Sequence, residues 1–305
     1  MREFMLPAAG VVLQSATGVD EAHHRIGWES GGPPGRVVHA SRPSAPDSAW
    51  TVRLVDDPGP GPVLAWAAAI GGRLMAVFQK TTGPCDPCDV DTYLGVLEPG
   101  TMSWRERLPQ RGTWGAPNDS FIGSVSLLVR DGTAYVAAQW RKSVVTGSLS
   151  SSELRVYVAP DDMDVCMETV TSTSDMYAGT DGMQFTGASP VIAAGTAGRL
   201  HVLFLDIAAW HTADGANAVT GQLRLATRAQ GGWRIAQLTE QRGQAAMPRP
   251  LEGFVRPSFV PSTHGRQFIV AAIRQAWDTG TIDNLDSPEA RLELVTLRGH
   301  FALPD

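Results

Sequence analysis

Four times along the chain, a short apolar run, a glycine-containing turn and a second apolar run follow one another. The first runs from Val63-Leu64-Ala65-Trp66 to Val77-Phe78, and the second from Val125-Ser126-Leu127-Leu128 to Val136-Ala137. The third runs from Pro190-Val191-Ile192 to Val202-Leu203-Phe204, and the fourth from Ser258-Phe259-Val260 to Ile269-Val270-Ala271. The turns hold Gly72, Gly132, Gly198 and Gly265, at intervals of 60, 66 and 67 residues. A tight hairpin turn requires positive φ, which is cheap for glycine, so each unit predicts a β-hairpin. After each hairpin comes a polar loop and then a strand of period-two alternation, as in Leu154-Arg155-Val156-Tyr157-Val158 and Leu223-Arg224-Leu225-Ala226-Thr227. A fourth strand opens with tryptophan at Trp50, Trp104 and Trp233; the stretch 163–170 takes its place in the middle repeat.

Four antiparallel strands in a repeat of roughly 60 residues is the pattern of a propeller blade. The region before Trp50 supplies one more repeat, with strands expected at 10–17, 23–29 and 36–41. The sequence therefore predicts an all-β, five-bladed β-propeller, one domain over 1–305. A short similar strand at either end, 3–7 or 300–304, is expected to close the ring and remove a free sheet edge.

Composition narrows the function. Of 305 residues, 43% are hydrophobic and 18% charged, enough apolar material for a large core. The net charge of −6 and the lack of any Lys/Arg run exclude the basic footprint of a nucleic-acid binder. The most apolar window, 63–78, is broken by Gly71-Gly72-Arg73, so no membrane span is expected. Glu3 stands where a signal peptide needs basic residues, so the expected location is the cytoplasm, with a secreted mature form as the alternative. Three cysteines give no disulfide framework. Cys85-Asp86-Pro87-Cys88 lacks the second pair that a structural zinc would need, so neither a metal nor another cofactor is predicted. Serine-elbow, phosphate-loop and dinucleotide motifs are also missing from the sequence.

The stretch Ser189-Pro190-Val191, Gly198-Arg199-Leu200-His201-Val202-Leu203-Phe204-Leu205-Asp206, Leu223-Arg224-Leu225-Ala226-Thr227-Arg228 and Gly232-Trp233 resembles the blades of sialidase-like and related bacterial propellers. The resemblance implies an architecture, one that hosts lectins, glycosidases, lyases and scaffolds alike. Five-bladed arabinanase-like glycosidases place acids at the starts of the innermost strands of three successive blades. In this reading those starts carry Ser124, Ser189 and Arg256, a departure from that pattern.

A ligand is expected at one mouth of the central channel, among the long loops 108–122, 171–187 and 240–256. Trp28, Trp140, Trp210 and Trp277 fall at or just after second strands, where aromatic faces would bind sugars or planar apolar ligands; packing between blades is the alternative. Gln139, Arg256 and Arg274 join them as candidate ligand-binding residues. Glu252, Asp119 and Asp206 are the candidate acids and bases, and His211 the candidate proton shuttle. His201, opening a second strand, reads as structural. Three functions follow in order: a small-molecule or glycan binder with possible hydrolase or lyase chemistry, a cyclase or isomerase acting on a hydrophobic metabolite, and a non-catalytic scaffold. Oligomeric state is left open.

Overall fold

The structure, a computed structural model, describes residues 11–17, 22–29, 37–43, 45, 47–54, 63–70, 74–82, 88–98, 100–108, 110–114, 120–143, 150–161, 163–173, 182–195, 198–211, 217–238, 251–261, 267–277 and 291–300. Side chains are described within 39–53, 75–142, 151–173, 186–206 and 222–238. The described residues are almost entirely strand. None forms a helix long and apolar enough to cross a membrane. The end segments expected to close a ring, 3–7 and 301–304, lie outside the described residues.

Strands β1 (Val11–Thr17), β2 (Ala22–Glu29), β3 (Val37–Pro43) and β4 (Thr51–Leu54) pair in that order as an antiparallel sheet. A second meander follows: β5 (Val63–Ile70), β6 (Leu74–Thr82), β7 (Cys88–Glu98) and β8 (Ser103–Glu106). The same edge of β7 also takes β9 (Gln110–Trp114), because its residues 95–98 pair with β8 and 88–92 with β9. Strand β9 then meets β10 (Ser120–Arg130), which leads into β11 (Thr133–Ser143), β12 (Ser150–Pro160) and β13 (Cys166–Ser172). A four-stranded sheet holds β14 (Gly182–Ala194), β15 (Leu200–His211), β16 (Asn217–Ala229) and β17 (Gly232–Gln237). A three-stranded one holds β18 (Leu251–Pro261), β19 (Gln267–Trp277) and β20 (Arg291–His300).

Two features differ from the sequence reading. Residues 108–122, expected to be loop, contain β9 and the start of β10. The first strands of three repeats also begin earlier than expected, β10 at Ser120, β14 at Gly182 and β18 at Leu251. The early part of β14 is separated from the rest by irregular register between Phe185 and Ala188, and that of β18 by a shift between Val255 and Ser258. A bulge breaks the period-two alternation by which a strand is recognised, so the sequence reading began each strand at its second half.

The chain folds as two compact units, one of Met1–Ile122, Leu127–Val136 and Tyr157–Cys166, the other of Gly123–Ser126, Ala137–Val156 and Met167–Asp305. In the first, Met75, Val77, Leu94, Val96 and Val136 are buried. Phe78 stacks on Tyr93 at 5.7 Å and tilts against Trp104 at 5.6 Å between ring centroids. The Arg107 guanidinium donates to the carbonyls of Pro160 and Met163 and pairs with Asp161 at 3.5 Å, tying β8 to the turn after β12.

In the second unit, Leu154, Val202, Phe204, Leu223 and Leu225 have no exposed surface. The hydroxyls of Ser124 and Ser126 accept the main-chain N–H groups of Ser189 (3.1 Å) and Ile192 (3.2 Å), linking β10 to β14. Glu168 on β13 accepts from Arg228 and from the indole N–H of Trp233 at 2.9 Å, so the tryptophan that opens β17 has its polar edge satisfied. His201 is buried and shares a 3.0 Å hydrogen bond with the Thr227 hydroxyl. Burial, aided by nearby Arg199, lowers its pKa to about 4, so it stays neutral at physiological pH. This is the structural histidine that the sequence suggested.

Candidate functional site

The backbone puts two features of the sequence at the same place in successive sheets. Trp210 on β15 pairs with Gly182, the first residue of β14. Trp277 on β19 pairs with Leu251, the first residue of β18. In the first sheet, Trp28 pairs with Val12, the second residue of β1. Trp210 and Trp277 therefore share one register position, opposite the first residue of an inner strand, and Trp28 stands opposite the second. The same starts carry carboxylates: Asp119 directly precedes β10, Asp181 directly precedes β14, and Glu252 is the second residue of β18. The earlier strand starts thus replace Ser124, Ser189 and Arg256 with acids at this position. His211 ends β15 opposite Asn217, Arg274 pairs with Phe254 and Glu293, and Arg256 lies in the irregular stretch of β18. Asp119 and Asp181 themselves lie outside the described residues, and Trp28, Trp210, His211, Glu252, Arg256, Arg274 and Trp277 are placed by backbone alone.

Side chains are described for Gln139, Trp140 and Asp206. Gln139, a candidate ligand contact in the sequence reading, and Asp206, a candidate acid, are both buried. Gln139 is buried, its amide donating to the Thr186 carbonyl at 3.3 Å. Ser152 on β12 grips both main-chain groups of the same residue: its hydroxyl donates to the Thr186 carbonyl at 2.9 Å and accepts the Thr186 N–H at 2.6 Å. Thr186 opens the irregular stretch of β14, and Gly187 follows at φ 74°. A Cβ at Gly187 would lie 2.8 Å from Leu154 Cβ and 3.0 Å from its Cα, so β12 approaches this turn closer than any side chain permits.

The Thr186 hydroxyl donates to Asp206 Oδ1, and Arg224 Nε lies 3.0 Å from Asp206 Oδ2. That second contact is Coulombic, since neither atom is aligned for a hydrogen bond. The Asp206 side chain has no exposed surface. Burial raises its pKa to about 6, against the opposing pull of Thr186, Arg224 and the Gly187 N–H. Asp206 on β15 is thus an acid enclosed by Thr186 and Gly187 of β14 and Arg224 of β16, without an open face toward a ligand.

Trp140 is half-buried, and the Arg155 guanidinium covers one ring face at 4.5 Å from the centroid. Arg155 is held in turn by Glu153 at 2.8 Å. Arg141 is partly enclosed, and desolvation lowers its pKa. Gly123 makes room for this corner, since a Cβ there would meet Arg141 Cδ at 2.6 Å and Gln139 Oε1 at 2.8 Å.

No protein-family model matches the sequence, and no curated protein does. Solved structures do match. An α-L-arabinanase of Penicillium chrysogenum, complexed with arabinobiose, superposes with a TM-score of 0.52 at 13% identity, over 95% of this chain and 82% of that one. A GH93 α-L-arabinofuranosidase of Fusarium graminearum with arabinobiose gives 0.52 at 11% identity, over 89% and 81%. The arabinofuranosidase of the same organism with an iminosugar inhibitor gives 0.51 at 10%, again over 89% and 81%. At such identities the likeness establishes fold: this chain is an all-β protein with the propeller fold of these glycoside hydrolases.

Proposed function

We propose that this chain is a five-bladed propeller that binds a glycan and cleaves it by carboxylic acid chemistry at the starts of its inner strands. The observation that carries the reading is the recurrence of an acid next to the register partner of a tryptophan at those starts: Asp181 precedes Gly182, the partner of Trp210, and Glu252 follows Leu251, the partner of Trp277. Glycoside hydrolysis needs two carboxyl groups, one to protonate the leaving oxygen and one to activate water or attack the sugar. Aromatic faces hold the apolar faces of the sugar ring, and arginines at the positions of Arg256 and Arg274 would hold its hydroxyl or anionic groups. Glu252, Asp181 and Asp119 are the acids in this reading, with His211 at the far end of β15 as a proton shuttle. The arabinobiose seen in the arabinanase and the arabinofuranosidase makes arabinose-based oligosaccharides the first substrates to try.

The test is release of reducing sugar from arabinobiose and linear arabinan. Wild type is expected to turn over, and Glu252→Gln to lose at least about a hundredfold in kcat with little change in KM. A Glu252→Gln variant as active as wild type would remove that residue from the chemistry. A wild type inert on these and on fructose- and xylose-based glycans would defeat the hydrolase reading.

A further inference from the structure

One device occurs twice in the fold. In the first unit, Gln79 on β6 and its register partner Thr92 on β7 are both buried. The Gln79 amide donates to Thr92 Oγ1 at 3.1 Å and to the main-chain carbonyl of Ile122 on β10 at 2.9 Å. In the second unit, Gln139 on β11 and Ser152 on β12 grip the main chain of Thr186 on β14. In both, a second-strand amide donates to a main-chain carbonyl of the inner strand that follows; Ser152 reaches that strand as well, whereas the Thr92 hydroxyl holds the Gln79 amide. Gln79 and Gln139 each stand seven residues after the hairpin glycine, Gly72 or Gly132. Seven residues after Gly198 stands Leu205, buried and paired with buried Leu223, and seven after Gly265 stands Ala272. Among the described residues the device reaches β10 and β14, and the equivalent place on β15 carries the apolar Leu205.

The gripped residues lie close to the inner-strand starts. Ile122 is three residues beyond Asp119, and Thr186 five beyond Asp181. A short run of β-strand anchored at a buried carbonyl is held in position over just that distance, since both of its flanking dihedrals are fixed by the clamp. Burial raises the stakes: removing the amide or hydroxyl leaves a carbonyl or N–H unsatisfied, and the backbone must shift to find water.

We infer that Gln139 with Ser152, and Gln79 with Thr92, are positioning pairs that fix the acid-bearing starts of β14 and β10 for ligand binding. The inference rests on the reading of those starts as the ligand site. The pairs touch no substrate; they act through the main chain of Thr186 and Ile122. The Leu205–Leu223 pair supplies the contrast, an apolar pair at the equivalent distance from the hairpin glycine.

The experiment measures amide hydrogen exchange by mass spectrometry on the full-length chain, alongside arabinobiose binding by calorimetry. The variants are Ser152→Ala and Gln139→Leu, with Ser152→Thr as the conservative rescue and Ser126→Ala as the control. Ser126 also accepts a main-chain N–H of β14, at Ile192, away from the strand start. Exchange in the peptide covering 182–187 is expected to speed up about tenfold or more in Ser152→Ala and Gln139→Leu, and to stay near wild type in Ser152→Thr and Ser126→Ala. Arabinobiose affinity should fall about tenfold in the first two only. Unchanged exchange at 182–187 in a folded Ser152→Ala variant overturns the clamp. Faster exchange with undiminished affinity overturns its positioning role. Should Ser152→Ala fail to fold, Gln139→Leu, in which the two Ser152 bonds to Thr186 survive, is read by the same criteria. A wild type that binds no glycan defeats the functional reading instead, and the exchange result still decides whether the clamp holds the strand start.

Discussion

Replacing Asp206 by asparagine is expected to flatten the dependence of stability on pH. The folded protein takes up a proton on Asp206 at about 6, whereas the same group in an unfolded chain titrates near 3.8. Between those values the folded state binds more protons than the unfolded state. Its stability therefore falls as pH rises from about 4 to about 6, and the full penalty persists above that. Integrated over the window, the penalty is about 3 kcal/mol, an order-of-magnitude figure set mainly by burial of the carboxylate. Asparagine keeps the shape and cannot ionise, so the stability difference between variant and wild type should shift in favour of the variant by about 3 kcal/mol between pH 4 and pH 7.5. Urea unfolding of both proteins across that range reads the effect directly. A constant offset between the two, independent of pH, would show that Asp206 titrates normally in the folded protein and that the enclosure described for it is wrong. The test bears on function too, because a carboxyl enclosed by Thr186, Gly187 and Arg224 of its own sheet has no exposed surface to offer a substrate.

Gly187→Ala is the second large effect. The residue sits at φ 74°, where a side chain costs about 1–2 kcal/mol from local sterics alone. The new Cβ would also press on main-chain atoms of Leu154, at 3.0 Å from Cα and 3.2 Å from N, and backbone cannot swing aside as a side chain can. A total loss of about 2–4 kcal/mol is expected, visible as a lower urea midpoint with an unchanged slope. The comparison is Gly231→Ala, at φ 88° with open space around the site, which should lose only the local part. Equal losses at the two glycines would mean that the contact between β12 and the turn after Thr186 is looser than described.

The strand framework was legible because its signals are local. Glycine at a hairpin turn, alternation along β12 and tryptophan opening β8 or β17 all fall within a few residues of one another. The inner-strand starts were misplaced because their signals are broken. Thr186-Gly187 and Ser189-Pro190 interrupt β14 with residues that read as loop, and the hydrogen bonding continues past them. With β18 beginning at Leu251, Glu252 belongs to the strand, whereas the sequence reading placed this candidate acid in a loop.

Gln139 and Asp206 were singled out correctly as unusual and assigned to the wrong environment. Polar residues near strand ends usually meet water, and nothing in local spacing reveals that Gln139 will meet a carbonyl 47 residues away. The repeat did hold a signal, glutamine at the same distance from the hairpin glycine in two successive units. For Gln79 and Gln139 the shared partner is structural, a main-chain carbonyl on the inner strand that follows.

The measurement that bears most directly on the proposed function is a crystal structure of the chain soaked with arabinobiose. The account predicts sugar density at the inner-strand starts, with a carboxylate oxygen of Glu252 or Asp181 within about 2.6–3.2 Å of a sugar oxygen and the ring of Trp210 or Trp277 against a sugar face. Density confined to the outer strands, or starts of β14 and β18 whose acids point away from any bound sugar, would contradict it.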